Sequence, residues 1–76
     1  MEIRKKVQDI IRDVTDNESI ELYDEMTDND IEDYDSMSHI DTLLRIENEM
    51  DIKFTPEEIV SSKDIGTLIR IIEEKL

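Results

Sequence analysis

The stretch Tyr34-Asp35-Ser36-Met37-Ser38 lies where an acidic run of chain meets a segment with helical periodicity. The apolar residues of this segment are Met37, Ile40, Leu43, Leu44 and Met50. Their spacing predicts a helix over about residues 36–50, with these apolar residues on its buried side. Ser36 would lie in the first turn, where free backbone N–H groups and the positive end of the helix dipole favour a phosphate group.

The N-terminal cap of this helix has more than one candidate. Asp35 is as good a capping residue as Ser36, and capping by Asp35 would leave the Ser36 hydroxyl free and facing solvent. Ser38, with Asp41 three residues later, forms an alternative pair of the capping-box type. From the residues alone, the capping role of Ser36 stays open.

The chain before Tyr34 predicts one helix and one long loop. A stripe at helical spacing predicts a first helix over about residues 2–15, and its members are Ile3, Val7, Ile10, Ile11 and Val14. The periodicity then loosens, and the apolar residues that remain are Ile20, Leu22, Met26 and Ile31. We expect these four residues to anchor a long loop to the core.

Two further helices are predicted after residue 50. Ile52 and Phe54 form a short extended piece with inward side chains, and a capping box of Thr55 and Glu58, with Pro56 at the first helical position, starts a short helix that ends near Val60. Residues 61–64 cap a last helix, whose apolar stripe is Ile65, Leu68, Ile69, Ile72 and Leu76. The predicted fold is all-α, a small irregular four-helix bundle in a single domain over residues 1–76.

The charge of the chain limits its partners. Acidic residues number 22 and basic residues 9, which gives a formal net charge of −13. This charge repels nucleic acid and anionic lipid and favours proteins with basic patches. No apolar run approaches the ~20 residues of a membrane span, and no signal-peptide core follows the charged N-terminus. We therefore expect a soluble, cytoplasmic protein.

Metal and catalytic sites find little support in the sequence. The run Asp28-Asn29-Asp30-Ile31-Glu32 alternates oxygen donors as an EF-hand does, but Asp33 and His39 occupy the positions that need Gly and a bidentate Glu. A Ser36–His39 catalytic pair would also need an oxyanion hole, for which a chain this short offers little. We predict no metal site and no enzyme, and we interpret His39 as an exposed residue near acidic neighbours.

The residues Asp35-Ser36-Met37, at the start of an apolar helix and after a long acidic loop, resemble the Asp-Ser-Leu motif of acyl carrier proteins and of the related peptidyl and aminoacyl carriers. The resemblance covers nearly the whole chain, including the turn over residues 51–57. The chain departs from the pattern at Asp33, where Gly is common, and at Met37. It departs again at Ser38 and His39, where fatty-acid carriers have an acidic and a small or apolar residue.

The resemblance implies that Ser36 carries 4′-phosphopantetheine, attached from coenzyme A by a separate phosphopantetheinyl transferase. Acyl or aminoacyl groups would be held as thioesters on its terminal thiol, so that the protein would be a phosphoprotein and a carrier. Asp35 and Met37 would flank the attachment point, with Met37 partly packed. Fatty-acid, polyketide, nonribosomal peptide and cell-wall biosynthesis all stay open as the pathway.

The second helix would resemble the surface that partner enzymes recognise. Its candidate docking residues are Asp35, Asp41, Glu47 and Glu49. We expect Asp41 and Glu47 to share one flank and to meet basic patches on the loading and transfer enzymes. The carrier is expected to be a monomer. An alternative from another functional class is an unmodified acidic helical adaptor that binds a basic protein partner.

Overall fold

The computed structural model describes residues 2–32 and 34–76. The α-helices are α1 (Ile3–Thr15), α2 (Ser36–Met50), α3 (Pro56–Ser61) and α4 (Ile65–Lys75), and a 3₁₀ turn over Asp28–Asp30 lies in the loop after α1. No β-strand occurs within the described ranges, so the predicted all-α fold with four helices is confirmed. Asp33, at which the sequence departs from the carrier pattern, lies outside the described ranges.

One apolar core joins the four helices to the long loop. Its buried side chains are Val7, Ile10, Ile11, Ile20, Met26, Ile31, Tyr34, Leu43, Ile46, Met50, Ile52, Phe54, Ile65, Leu68 and Ile72. Helix α1 packs against both α2 and α4. The predicted stripe of α1 faces this core, and three of the four predicted loop anchors are buried, while Leu22 packs against the core in part. No helix of the described chain has the length and apolar character that would let it cross a bilayer.

The long loop is fixed against the start of α4 by backbone hydrogen bonds. The N–H of Ile65 donates to the carbonyl of Met26, and the N–H of Gly66 donates to the carbonyl of Asp24, both at 2.9 Å. A Cβ at Gly66 would lie only 3.2 Å from the Asp24 carbonyl oxygen, so the residue without a side chain permits this close approach. These contacts hold residues 24–26 of the loop beside the start of α4.

The turn after α2 brings the next segment back to the core. Asp51 adopts the left-handed conformation at φ 55°, which Asp tolerates better than most residues. The Glu47 carboxylate then accepts a 2.7 Å hydrogen bond from the backbone N–H of Phe54. As predicted, Ile52 and Phe54 are buried, and the capping box of Thr55 and Glu58 starts α3.

The predicted buried side of α2 is wrong at three positions. Met37, Ile40 and Leu44 are 79%, 49% and 56% exposed, whereas the buried residues of α2 are Thr42, Leu43, Ile46 and Met50. The five apolar residues used for the prediction extend around more than one face of the helix, and contact with α1 buries the face that contains Ile46. The prediction for α4 fails at Leu76, which is 61% exposed at the end of its helix.

Candidate functional site

Ser36 is the first residue of α2, and Asp35 is its cap. One oxygen of the Asp35 carboxylate accepts hydrogen bonds from the Ser38 N–H at 2.9 Å and from the Ser38 hydroxyl at 3.0 Å. These bonds lower the pKa of Asp35, because they stabilise its ionised form. The alternative pair of Ser38 and Asp41 is not formed, since the Asp41 carboxylate accepts from Arg45 instead.

The capping arrangement leaves the Ser36 side chain available. Ser36 is exposed, and its hydroxyl has no hydrogen bond to any residue in the described ranges. It stands at the N-terminus of a 15-residue helix, where backbone N–H groups and the helix dipole favour a negatively charged substituent. The geometry therefore suits a hydroxyl that receives a phosphate ester.

A buried polar network lies beside this exposed turn. The Tyr34 hydroxyl is 3.2 Å from Nδ1 of His39, and Nε2 of His39 is 3.2 Å from the Ser62 hydroxyl oxygen. The Ser62 hydroxyl donates at 3.0 Å to the carbonyl of Ile59. Because the Ser62 hydroxyl donates to Ile59, its oxygen is left to accept from the Nε2–H of His39. The network connects the loop before Ser36 to the C-terminal end of α3.

The prediction that His39 is exposed is wrong. Its side chain is only 14% exposed, because it lies four residues before Leu43 and seven before Ile46, on the buried row of α2. Both ring nitrogens are occupied by Tyr34 and Ser62, so the described structure contains no Ser36–His39 pair. The i, i+4, i+7 spacing of His39, Leu43 and Ile46 could have predicted its burial. Its partner Ser62 lies 23 residues away and could not be predicted from residues near His39.

The buried phenol of Tyr34 gives a pH dependence that can be measured. Burial raises the pKa of Tyr34 to about 12, because the ionised phenolate is poorly solvated in the core. The unfolded chain releases this proton near pH 10, so the contribution to stability is complete below pH 10 and is lost as the pH rises to about 12. We expect a loss of about 3 kcal/mol over this range, measured by urea unfolding.

Two variants isolate the contribution of Tyr34. Tyr23→Phe leaves Tyr34 as the only phenol, so that absorbance near 295 nm reports its ionisation alone. Tyr34→Phe should remove most of the alkaline loss of stability. Ionisation of Tyr34 near pH 10 in the folded Tyr23→Phe protein would contradict the burial argument.

The four candidate docking carboxylates do not form one flank. Asp41 pairs with Arg45 at 3.4 Å, and Glu49 pairs with Lys6 at 3.3 Å. Glu47 is the acceptor for the Phe54 N–H, so it has a structural role. Glu47 lies six positions after Asp41, which corresponds to about 120° around the helix. The prediction that these two share a flank is therefore wrong.

An exposed apolar stripe runs along α2 from the residue next to Ser36. It consists of Met37, Ile40 and Leu44, at helical spacing. Met37 is 79% exposed, so the expectation that it is partly packed is wrong. The stripe begins one residue after Ser36 and extends to the middle of the same helix, so a protein that covered it would also approach Ser36. No group of three or more metal-binding side chains occurs among the residues described.

Comparisons with known proteins give a match among solved structures. No protein-family model matches the chain, and no curated protein matches it. The solution NMR structure of a holo acyl carrier protein from Geobacter metallireducens is similar, with a TM-score of 0.90 and 33% sequence identity. The match covers 99% of this chain and 86% of that chain, so it includes all four helices.

Proposed function

The chain belongs to the acyl carrier protein family, and from this we propose that it carries acyl or aminoacyl groups as thioesters on 4′-phosphopantetheine attached to Ser36. The observation that carries the proposal is the exposed Ser36 hydroxyl at the start of α2, left free because Asp35 forms the cap. The similar solved structure is of a holo carrier, which supports the same modification here.

The residues around Ser36 fit such a group. The hydroxyl is exposed, and the first turn of α2 offers a favourable electrostatic environment for a phosphate diester. When attached, phosphopantetheine supplies a terminal thiol on a flexible arm. The protein supplies the position: Asp35 fixes the first turn through Ser38, and Met37 offers an apolar contact beside the attachment point. On this proposal the protein is a carrier and the chemistry belongs to its partner enzymes.

The mass of the intact protein tests the proposal. We would incubate the protein with coenzyme A and a broad-specificity phosphopantetheinyl transferase, and then measure the mass. A carrier should gain the mass of one phosphopantetheine. An unchanged mass for the folded protein, with a known carrier modified in the same reaction, would contradict the proposal and support the acidic adaptor.

We also propose that α2 is the surface that the transferase and the loading and transfer enzymes bind. The acidic residues Asp35, Asp41, Glu47 and Glu49 are distributed along α2 and contribute to a negative field around this helix that attracts basic docking patches. The exposed stripe that starts at Met37 adds an apolar centre to this surface. Charge would then speed the encounter, while burial of the stripe would contribute to the affinity.

Charge reversal at Asp41 tests this docking surface. Its carboxylate is half exposed and its pairing with Arg45 is an exposed contact, so Asp41→Lys should leave the fold intact. We expect the kcat/KM of phosphopantetheine transfer to fall about tenfold at low salt, and the wild-type value to fall as salt rises. Glu47→Lys is a poorer test, because it also removes the acceptor of the Phe54 N–H.

The matched control is Glu73→Lys, which makes the same charge change at an exposed position of α4. Its kcat/KM should stay close to the wild-type value. An equal loss for Asp41→Lys and Glu73→Lys would mean that net charge alone attracts the enzyme, and that α2 is not a specific docking surface.

A further inference from the structure

Met37 differs in exposure from the other methionines of the described chain. It is 79% exposed, whereas Met26 and Met50 are each 6% exposed and belong to the apolar core. The fourth methionine, Met1, lies outside the described ranges. An oxidant in solvent therefore has access to the Met37 side chain in the folded protein, but it reaches Met26 and Met50 only when the core opens.

A methionine thioether reacts with a hydroperoxide by transfer of one oxygen atom. The sulfur lone pair attacks the peroxide, so that an S–O bond forms and the O–O bond breaks. With hydrogen peroxide the products are methionine sulfoxide and water, because the sulfur loses the two electrons that the peroxide gains. The unmodified chain contains no cysteine, so no thiol within it competes for the oxidant.

Met37 also lies where an enzyme that acts on Ser36 must approach. It follows Ser36 in the sequence, and the exposed stripe of Met37, Ile40 and Leu44 begins with it. The Cα atoms of adjacent residues are about 3.8 Å apart, so an enzyme that encloses the Ser36 hydroxyl also removes water from the Met37 side chain. A flexible, apolar thioether suits such a contact.

Oxidation changes this contact and leaves the packing of the free protein intact. The sulfoxide oxygen is a hydrogen-bond acceptor, and water solvates it in the free protein because Met37 is exposed. In a complex this oxygen would lose its water to an apolar contact made for a thioether. The loss of hydrogen bonds without replacement then weakens binding about tenfold or more.

We propose that Met37 is an oxidation site and that conversion of its thioether to the sulfoxide by a hydroperoxide slows the enzymes that act at Ser36. This regulation rests on the proposed attachment of phosphopantetheine at Ser36. Methionine sulfoxide reductases restore the thioether, so the change is reversible. A leucine, as in the Asp-Ser-Leu motif, has no sulfur to oxidise, and the sensitivity therefore follows from the departure of this chain at Met37.

The first measurement locates the oxidation. The unmodified full chain would be treated with hydrogen peroxide, the excess would be removed with catalase, and tandem mass spectrometry would locate the sulfoxides. Met37 should be oxidised at least about tenfold faster than Met26 or Met50, and the melting temperature should change by less than about 2 °C. In urea the three rates should converge. Equal rates in the folded protein would overturn the proposal.

The second measurement compares phosphopantetheine transfer to the treated and untreated chains, with the transferase added only after the peroxide is removed. The kcat/KM should fall about tenfold on oxidation, mainly through a higher KM. Treatment with the two methionine sulfoxide reductases, one for each sulfoxide epimer, and their thiol reductant should restore it.

Two variants identify the sulfur responsible, and each is compared with its own untreated sample. In Met37→Leu the ratio of treated to untreated kcat/KM should be close to one, whatever the starting rate. In the double variant Met26→Leu, Met50→Leu, which keeps Met37 and nearly conserves core volume, this ratio should be about one-tenth. The comparison of the wild type with Met37→Leu is sufficient by itself if the double variant fails to fold.

The outcomes separate two kinds of failure. An unchanged kcat/KM for wild-type protein in which Met37 is fully oxidised would overturn the proposal alone, and so would an equal loss in Met37→Leu. The absence of any gain in mass by the untreated protein would instead overturn the proposed function, and the regulation by Met37 with it.

Discussion

Ser36→Ala is expected to abolish attachment of phosphopantetheine completely, while the helical circular dichroism and the melting temperature stay nearly unchanged. The Ser36 hydroxyl is the proposed nucleophile for transfer from coenzyme A, so its removal leaves nothing to modify. The fold should tolerate the change because the Asp35 carboxylate, rather than Ser36, caps α2. Intact mass after incubation with the transferase, together with a thermal melt, measures both effects.

Ser38→Ala is the matched control, because it removes a hydroxyl from the same turn. In this variant the backbone N–H of residue 38 still donates to Asp35, and only the hydrogen bond from the Ser38 hydroxyl is lost. This variant should be modified fully. A modified Ser36→Ala protein would show that the attachment site is wrong. A fall of about 1 kcal/mol in the free energy of unfolding of Ser36→Ala would indicate that Ser36 contributes to capping.

Leu43→Ala is expected to destabilise the protein by about 2–5 kcal/mol, the usual range for a buried leucine. Leu43 is 2% exposed and belongs to the apolar core. A loss of this size is a large part of the stability of so small a domain. Urea unfolding, followed by circular dichroism, measures the change.

The adjacent residue supplies the control, because Leu44 is 56% exposed. Leu44→Ala should change the free energy of unfolding by no more than about 0.5 kcal/mol. If the exposed stripe of α2 binds partners, the same variant should slow phosphopantetheine transfer. Equal losses of stability at the two leucines would contradict the assignment of the buried and exposed faces.

The four helices were predictable because their signals are local. Thr55, Pro56 and Glu58 mark the start of α3 within four residues, and the observed capping box uses these side chains. The stripe of α1 is a single face with strong periodicity. Such signals do not depend on contacts with distant parts of the chain, so the sequence alone was sufficient for the order and approximate bounds of the helices.

The faces of α2 were less predictable because tertiary contacts determine them. Apolar residues occur around much of this helix, and packing against α1 selects the row of Leu43 and Ile46 rather than that of Met37 and Ile40. The role of Glu47 depends on the left-handed turn at Asp51, which delivers the Phe54 N–H to its carboxylate. Neither the buried face of α2 nor the hydrogen bond to Glu47 can be predicted from the neighbouring residues alone.

The prediction for His39 failed for a related reason. His39 has the spacing of a core residue, but a histidine is buried at low cost only when its ring nitrogens have partners. Those partners, Tyr34 and Ser62, come from the loop and from the end of α3, and only the folded chain brings them together. Because the sequence alone does not show that Tyr34 and Ser62 bind the ring, it favours the interpretation of His39 as an exposed residue.

Localisation of the added group by tandem mass spectrometry tests the central claim most directly. After incubation with coenzyme A and the transferase, the protein would be fragmented and the modified residue identified. The account predicts one phosphopantetheine, attached to Ser36. Attachment to Ser38, Ser61 or any other residue, or no attachment to the folded protein, would contradict it.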